Sequence, residues 1–96
     1  MKPLIRPKAA ADIEEAFLWY EKQRSGLGIE FLTAVDQALD DILENPRLHR
    51  VLHRETRRAT LQRFPYSLFY RIIDDGVIVV GCFHGSRSPR RWEERS

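Results

Sequence analysis

The chain has 96 residues, of which 43% are hydrophobic and 31% are charged, and its formal net charge is +2. This length fits one domain over residues 1–96 and leaves no room for a second hydrophobic core. A single cysteine, Cys82, excludes an intramolecular disulfide and a cysteine-rich zinc site. No segment has the pattern of a signal peptide or a membrane span, so we expect a cytoplasmic protein with no membrane partner.

The charge is divided unevenly between the two halves of the chain. Residues 1–46 contain 5 Lys and Arg against 9 Asp and Glu, whereas residues 47–96 contain 11 basic and 5 acidic residues. All 11 basic residues of the second half are arginines. Because the planar guanidinium group binds phosphate or carboxylate at two points, this bias favours an anionic partner, either a nucleic acid or an acidic protein.

The first half of the chain predicts a short strand followed by two helices. Leu4 to Arg6 is the strand candidate, and a helical pattern starts at Lys8. The first helix has its apolar positions at helical spacing, namely Ile13, Ala16, Phe17 and Tyr20. The segment 25–28, Ser-Gly-Leu-Gly, breaks this helix, and a second amphipathic helix runs to Asn45-Pro46. Two such helices joined by a short turn predict an αα-hairpin.

The second half of the chain predicts strands. Residues 51–53 form a weak candidate, and residues 59–64 alternate between apolar and polar. Residues 66–73 and 77–83 are the strongest strand patterns, and the Asp74-Asp75-Gly76 segment between them favours a hairpin turn. Ser88-Pro89 is typical of the start of a short terminal helix. The predicted order is β-α-α-β-β-β, an α+β fold with the αα-hairpin packed on a small, mainly antiparallel sheet.

Several segments in this order and spacing resemble the RelE/ParE toxin superfamily over nearly the whole chain. They are Ala10-Ala11-Asp12-Ile13, Gly28-Ile29-Glu30-Phe31-Leu32, Arg63-Phe64-Pro65-Tyr66, Phe69-Tyr70-Arg71-Ile72, and His84-Gly85-Ser86-Arg87-Ser88-Pro89 with Arg91-Trp92. The resemblance implies the toxin of a type II toxin–antitoxin pair, neutralised by a cognate antitoxin. The sequence is more similar to the ParE-like branch and to proteins described as plasmid stabilisation toxins.

The resemblance implies two different activities and leaves a third interpretation open. ParE-like members inhibit DNA gyrase by binding it, and this is our first interpretation. RelE-like members are metal-independent endoribonucleases that cut mRNA on the ribosome. The chain lacks the terminal tyrosine and basic cluster of active RelE-like enzymes, which disfavours this alternative. A third interpretation is an inactive family member that retains only antitoxin binding.

An RNA-cleaving site would need a base, an acid and cations around the scissile phosphate. Arg63, Arg71, His84 and Arg87 are the candidates, provided that the strands at 57–64, 66–73 and 77–84 are neighbours. Arg63 would bind phosphate, Arg71 or Arg87 would stabilise negative charge, and His84 would transfer a proton. A structural role for His84 at the end of its strand is the more frequent situation for such a residue. No histidine pair has metal-ligand spacing with a carboxylate, so we expect no metal or cofactor.

A second set of residues is predicted to bind the antitoxin or another anionic partner: Arg57, Arg58, Arg63, Arg87, Arg90, Arg91 and Trp92. A short sheet leaves one face and its edges uncovered, where an antitoxin strand or helix would bind. Occlusion of this arginine-rich surface is the hypothesis for neutralisation. Trp19 and Trp92 are assigned to core packing, with a role as exposed partner anchors as the alternative.

Overall fold

The computed structural model describes residues 3–74, 76–86 and 89–95. Its helices and strands, in chain order, are β1 (Leu4–Ile5), α1 (Pro7–Gln23), α2 (Leu27–Glu44), β2 (Val51–His53), β3 (Thr56–Thr60), β4 (Tyr66–Ile73), β5 (Gly76–His84) and α3 (Pro89–Glu93). Both the αα-hairpin and the strand-rich second half are therefore confirmed. The weak strand pattern at residues 51–53 also forms a strand.

The five strands form one sheet in the order β1-β5-β4-β3-β2. β1 pairs with β5 in parallel, and the other three pairs are antiparallel. The longest ladder joins β4 to β5, from Tyr66 opposite His84 to Ile73 opposite Gly76. The prediction of an α+β fold with a mainly antiparallel sheet is confirmed.

The helical hairpin covers one face of this sheet and encloses the main hydrophobic core. The core includes residues that are almost completely inaccessible to solvent, namely Phe31 and Ile42 of α2 and Leu68, Tyr70 and Val79 of the sheet. Aromatic rings meet in this core, where Tyr20 stacks on Phe31 with ring centroids 5.3 Å apart. Burial of such rings is the largest contribution to the stability of a small domain.

The turn between α1 and α2 depends on two glycines and one carboxylate. Gly26 has a φ of 90°, a conformation that glycine adopts without steric cost. The Glu21 carboxylate accepts hydrogen bonds from the backbone N–H groups of Gly26 (3.0 Å) and Gly28 (2.9 Å). These bonds satisfy donors that have no partner within α2, so a side chain of α1 stabilises the start of the next helix.

The opposite face of the sheet carries a second, smaller apolar cluster. Phe69, Val80 and Phe83 are buried there, and Leu52, Ile78 and Trp92 pack against them. The indole of Trp92 stacks on the Phe69 ring at 5.3 Å. This differs from the expectation that the second face is uncovered, because α3 folds back over its centre.

One predicted strand is wrong in extent. The sequence pattern placed a strand over residues 59–64, whereas β3 ends at Thr60. Arg63 adopts a φ of 70°, and Pro65 has no N–H to donate to a neighbouring strand. The chain therefore turns between Leu61 and Tyr66, where the Leu61 N–H donates to the Tyr66 carbonyl at 2.9 Å.

The turn between β4 and β5 forms where it was predicted. Asp74 has a positive φ of 51°, and the register places Ile73 opposite Gly76. Asp75 of this turn, and Ser88 as the predicted cap of α3, lie outside the described residues. No helix in the described part of the chain has the length and apolarity needed to cross a membrane. One domain over residues 1–96 stays a prediction.

We predict that Gly28→Ala destabilises the protein by about 1–3 kcal/mol, because overpacking forces buried groups to move. A Cβ at position 28 would lie 2.7 Å from two carbons of the Phe17 ring. Urea unfolding measures the change. Gly76→Ala is the control, because its Cβ would meet only the Ile73 carbonyl oxygen at 3.7 Å. Equal stability of the two variants would contradict the close helix contact.

Candidate functional site

A groove of about 820 Å³ runs between α1 and the end of β5. The groove is lined by α1 on one side and, on the other, by residues around the start of β4, the end of β5 and α3. The lining residues are Asp12, Glu15, Ala16, Leu18, Trp19, Tyr20, Lys22, Pro65, Tyr66, Cys82, Phe83, His84, Ser86 and Arg91. A concave surface with an apolar floor and a few charged groups at its margin is the usual form of a binding site.

Two large apolar side chains of α1 are exposed at this groove. Leu18 is 50% and Trp19 is 56% accessible to solvent. The assignment of Trp19 to the core is therefore wrong, because the α1 face that meets the sheet centres on Ala16 and Tyr20. An exposed tryptophan next to a leucine on a groove wall is typical of a protein-binding surface.

Asp12 of the groove lining belongs to a partly buried ion pair. Arg95 donates two hydrogen bonds to the Asp12 carboxylate, from Nη1 at 2.7 Å and from Nη2 at 3.2 Å. The Arg95 guanidinium also lies over the Phe83 ring, 4.9 Å from its centroid. Arg6 donates a hydrogen bond to the Arg95 carbonyl at 3.1 Å. These contacts fix the C-terminal segment against α1 and β5.

Asp12 has a second role at the edge of β5. Its Oδ2 accepts a hydrogen bond from the Cys82 N–H at 3.1 Å. The Cys82 thiol is buried, and burial together with the nearby Asp12 charge raises its pKa to about 12. A thiol in this environment is a structural group and a poor nucleophile.

His84 stabilises the turn that follows β5. Its Nδ1 accepts a hydrogen bond from the Ser86 N–H at 3.0 Å and lies 2.8 Å from Ser86 Oγ. The imidazole also packs edge-on against the Tyr66 ring at 5.2 Å. Only Nε2 is left for proton transfer, and the contacts of His84 are those of a structural histidine.

Arg63 is held by a carboxylate of the helical hairpin. Its Nη2 donates to Glu30 Oε1 at 2.8 Å, and the other Glu30 oxygen accepts from Arg24 at 3.0 Å. These two hydrogen bonds lower the pKa of Glu30. All three side chains remain partly exposed, so the network connects the helical turn to the β3–β4 loop and contributes little to stability.

Arg71 lies on the face of the sheet that does not carry the helical hairpin. Its Nη2 is 3.9 Å from the exposed Glu55 carboxylate, and its Nε is buried without a hydrogen-bond partner in the described part of the chain. Arg71 pairs with Ile78, whereas His84 pairs with Tyr66. Five residues along a strand correspond to about 17 Å, so the structure does not bring Arg71 and His84 together.

The remaining predicted residues are dispersed. Arg57 donates to the carbonyls of Arg47 (3.1 Å) and His49 (2.6 Å), so it fixes the loop before β2. Arg58 is exposed on β3, opposite Phe69 in the register. Arg91 lines the groove, and Trp92 covers the second sheet face. Arg90 lies in α3, and Arg87 lies outside the described residues.

Sequence reasoning gave an exposed Trp19 only as the alternative, and it missed Leu18 and the contact between Asp12 and Arg95. Leu18 and Trp19 lie beside the α1 face that packs on the sheet. Their position next to the apolar stripe of this helix is the sequence signal that could have indicated their exposure. The contact between Asp12 and Arg95 spans 83 residues, and no local pattern predicts it. No group of three or more His, Cys, Asp or Glu side chains able to hold a metal occurs among the described residues.

A family model described as the ParE toxin of type II toxin–antitoxin system, parDE, matches residues 4–89. The chain belongs to this ParE toxin family. A solved structure described as the chromosomal ParDE TA system from P. aeruginosa has a TM-score of 0.66 and 20% identity to this chain. The match covers 88% of this chain and 95% of that chain, and at this identity it shows the fold alone. A search of curated protein sequences gave no match.

We predict that native Cys82 reacts slowly with the thiol reagent DTNB. With a pKa of about 12, roughly one thiol in 10⁴ is ionised at pH 8, and the side chain is only 3% exposed. Absorbance at 412 nm follows the reaction. Protein unfolded in urea is the control and should react at the rate of a free cysteine. Rapid stoichiometric labelling of the native protein would contradict the buried position.

Proposed function

We propose that this ParE-family chain is a cytoplasmic toxin that inhibits DNA gyrase by binding it and that is neutralised by a cognate antitoxin. The match of the family model over residues 4–89 carries the proposal. The name of the structural neighbour, a ParDE system, also supports an antitoxin partner. Inhibition by binding requires a surface and no catalytic group, and the groove with its exposed Leu18 and Trp19 is the surface best suited to a protein partner.

The dispersed arrangement of the RNase candidates gives no support to the endonuclease alternative. Arg63 is bound by Glu30 and His84 is bound by Ser86. Arg71 lies five strand residues away from the Tyr66–His84 pair of the β4–β5 ladder. Cleavage of RNA needs an acid, a base and a cation within hydrogen-bonding reach of one phosphate. Protein binding is the activity for which the described residues provide a surface.

A gyrase assay tests the proposed target. We expect the purified toxin to inhibit supercoiling of relaxed plasmid by gyrase and to accumulate cleaved DNA. We also expect an excess of antitoxin to restore the activity. The control is heat-denatured toxin at the same concentration. Cleavage of ribosome-bound mRNA that is lost in Arg63→Ala and His84→Ala would favour the endonuclease instead. Antitoxin binding without either activity would indicate an inactive family member.

Alanine variants of Leu18 and Trp19 test the groove as the antitoxin-binding surface. We expect Leu18→Ala to weaken antitoxin binding by about 5–30-fold, which corresponds to roughly 1–2 kcal/mol for a contacting apolar side chain. Trp19→Ala should have a larger effect, about 2 kcal/mol or more. Calorimetric titration with the purified antitoxin measures both.

Leu48→Ala is the matched control for these variants. Leu48 is also an exposed leucine, 74% accessible, but it does not line the groove. Its substitution should leave the affinity unchanged. Equal losses for Leu18→Ala and Leu48→Ala would contradict the assignment of the groove.

A further inference from the structure

Two arginines are neighbours on the sheet face that does not carry the helical hairpin. Arg58 pairs with Phe69 in the β3–β4 ladder, and Arg71 follows Phe69 by two residues on β4. The register shift between Phe69 and Tyr70 adds a residue to β5 and leaves the pairing of β3 with β4 regular. Both arginines therefore lie on the same face as Phe69. Diagonal neighbours on two paired strands are about 7–8 Å apart, so the two long side chains can reach one anion.

The positive charge of this pair is only partly compensated within the described part of the chain. Arg58 is exposed and forms no hydrogen bond or ion pair with another described residue. Arg71 has one carboxylate nearby, Glu55, whose Oε2 lies 3.9 Å from the Arg71 Nη2, beyond hydrogen-bonding distance. The Arg71 side chain is still 32% exposed, although its Nε is buried without a partner among the described residues. Two adjacent cations with one distant carboxylate favour an anion from outside the chain.

The hairpin that carries Glu55 is held in an unfavourable backbone conformation. Arg54 has a φ of 47° and Glu55 a φ of 67°, and the two residues connect His53 to its strand partner Thr56. Asn and Gly are the usual residues of such a turn, because others adopt a positive φ at a steric cost. Strain of this kind is frequent at binding sites. The Glu55 side chain is 88% exposed, so an anion can replace it beside Arg71 without a change in the hairpin.

The aromatic centre of this face indicates which kind of anion fits. Phe69 and Phe83 are only 3% and 5% exposed, and Trp92 stacks on the Phe69 ring. These rings pack on the protein itself and do not form an open platform on which unpaired bases would stack. The guanidinium groups beside them bind phosphate oxygens through two N–H groups at once. A duplex suits this combination, because its bases are paired and its phosphates are exposed.

We propose that Arg58 and Arg71 form a binding site for the phosphate backbone of duplex DNA on this face of the sheet. The site is separate from the groove, because neither arginine lines the groove. The choice of DNA among phosphate-bearing ligands rests on the proposed inhibition of gyrase, an enzyme that holds a DNA duplex. A backbone phosphate accepts hydrogen bonds from both guanidinium groups and replaces Glu55 beside Arg71. The contact involves no base edge, so it is independent of base sequence.

Fluorescence anisotropy of a short labelled duplex tests the site with the purified toxin, over a range of KCl concentrations. We expect Arg58→Gln to weaken binding about 3–10-fold at low salt, because one charge-assisted contact is lost. Each phosphate contact contributes about 0.9 to the slope of log K against log salt concentration, so the variant should also reduce this slope by about 1. Arg24→Gln is the matched control. Its side chain is 61% exposed on the helical hairpin, and its substitution makes the same change in charge.

A carboxylate variant should change the affinity in the opposite direction. We expect Glu55→Gln to bind the duplex about twofold or more tighter, because the competing negative charge beside Arg71 is removed. Glu44→Gln is its control, since Glu44 is an exposed carboxylate of α2, on the other side of the sheet. Circular dichroism checks that all variants are folded. Equal gains for Glu55→Gln and Glu44→Gln, or equal losses for Arg58→Gln and Arg24→Gln, would mean diffuse attraction to net charge and would overturn the site.

The outcomes separate this inference from the proposed function. Inhibition of gyrase by a toxin that has no affinity for the duplex would overturn the DNA site and leave the proposed function intact. Duplex binding that depends on Arg58, without inhibition of gyrase, would contradict the proposed function and support the site. A polyglutamate peptide that binds more tightly than the duplex, with the same dependence on Arg58, would assign this face to an acidic protein and overturn the inference. Tighter binding of a single-stranded RNA of equal length would overturn the choice of DNA.

Discussion

Pairing between β4 and β5 is the constraint on which the other contacts of this molecule depend. The ladder runs from Tyr66–His84 to Ile73–Gly76, and its two faces hold the two apolar clusters. The helical hairpin packs on one face and Trp92 on the other, while β1 reaches only part of the β5 edge. Because β5 is longer than its neighbour β1, one stretch of its edge depends on side chains for hydrogen bonds.

Local sequence patterns predicted the elements of this fold but not the contacts between distant elements. The helices and the two long strands have strong periodic patterns, and their bounds agree with the structure to within a few residues. The strand predicted over residues 59–64 ended early because of Arg63 and Pro65. A positive φ at an arginine, such as the 70° of Arg63, has no local sequence signature, so sequence alone does not reveal it.

The candidate site was harder to predict because the arginines have different roles. Their clustering in the second half of the sequence suggested one cationic surface. In the structure, Arg57 binds loop carbonyls, Arg63 binds Glu30 and Arg95 binds Asp12. Arginine has five donors and suits carbonyls as well as anions, so composition does not distinguish a structural arginine from a partner-binding one. Of the predicted partner-binding arginines, the exposed Arg58 and Arg91 remain accessible to external anions.

The edge of β5 beyond its pairing with β1 is covered by side chains. An unpaired edge lets a protein bind a partner segment through backbone hydrogen bonds, but it also exposes the free protein to aggregation. The Asp12–Arg95 ion pair, whose side chains are 15–23% exposed, reduces this hazard because it satisfies the Cys82 N–H and the Val80 carbonyl. Asp12 belongs to the first half of α1 and Arg95 to the C-terminal segment, so this edge connects both to β5. One ion pair between residues 83 positions apart therefore completes the hydrogen bonds of the sheet edge and holds the C-terminal segment against α1.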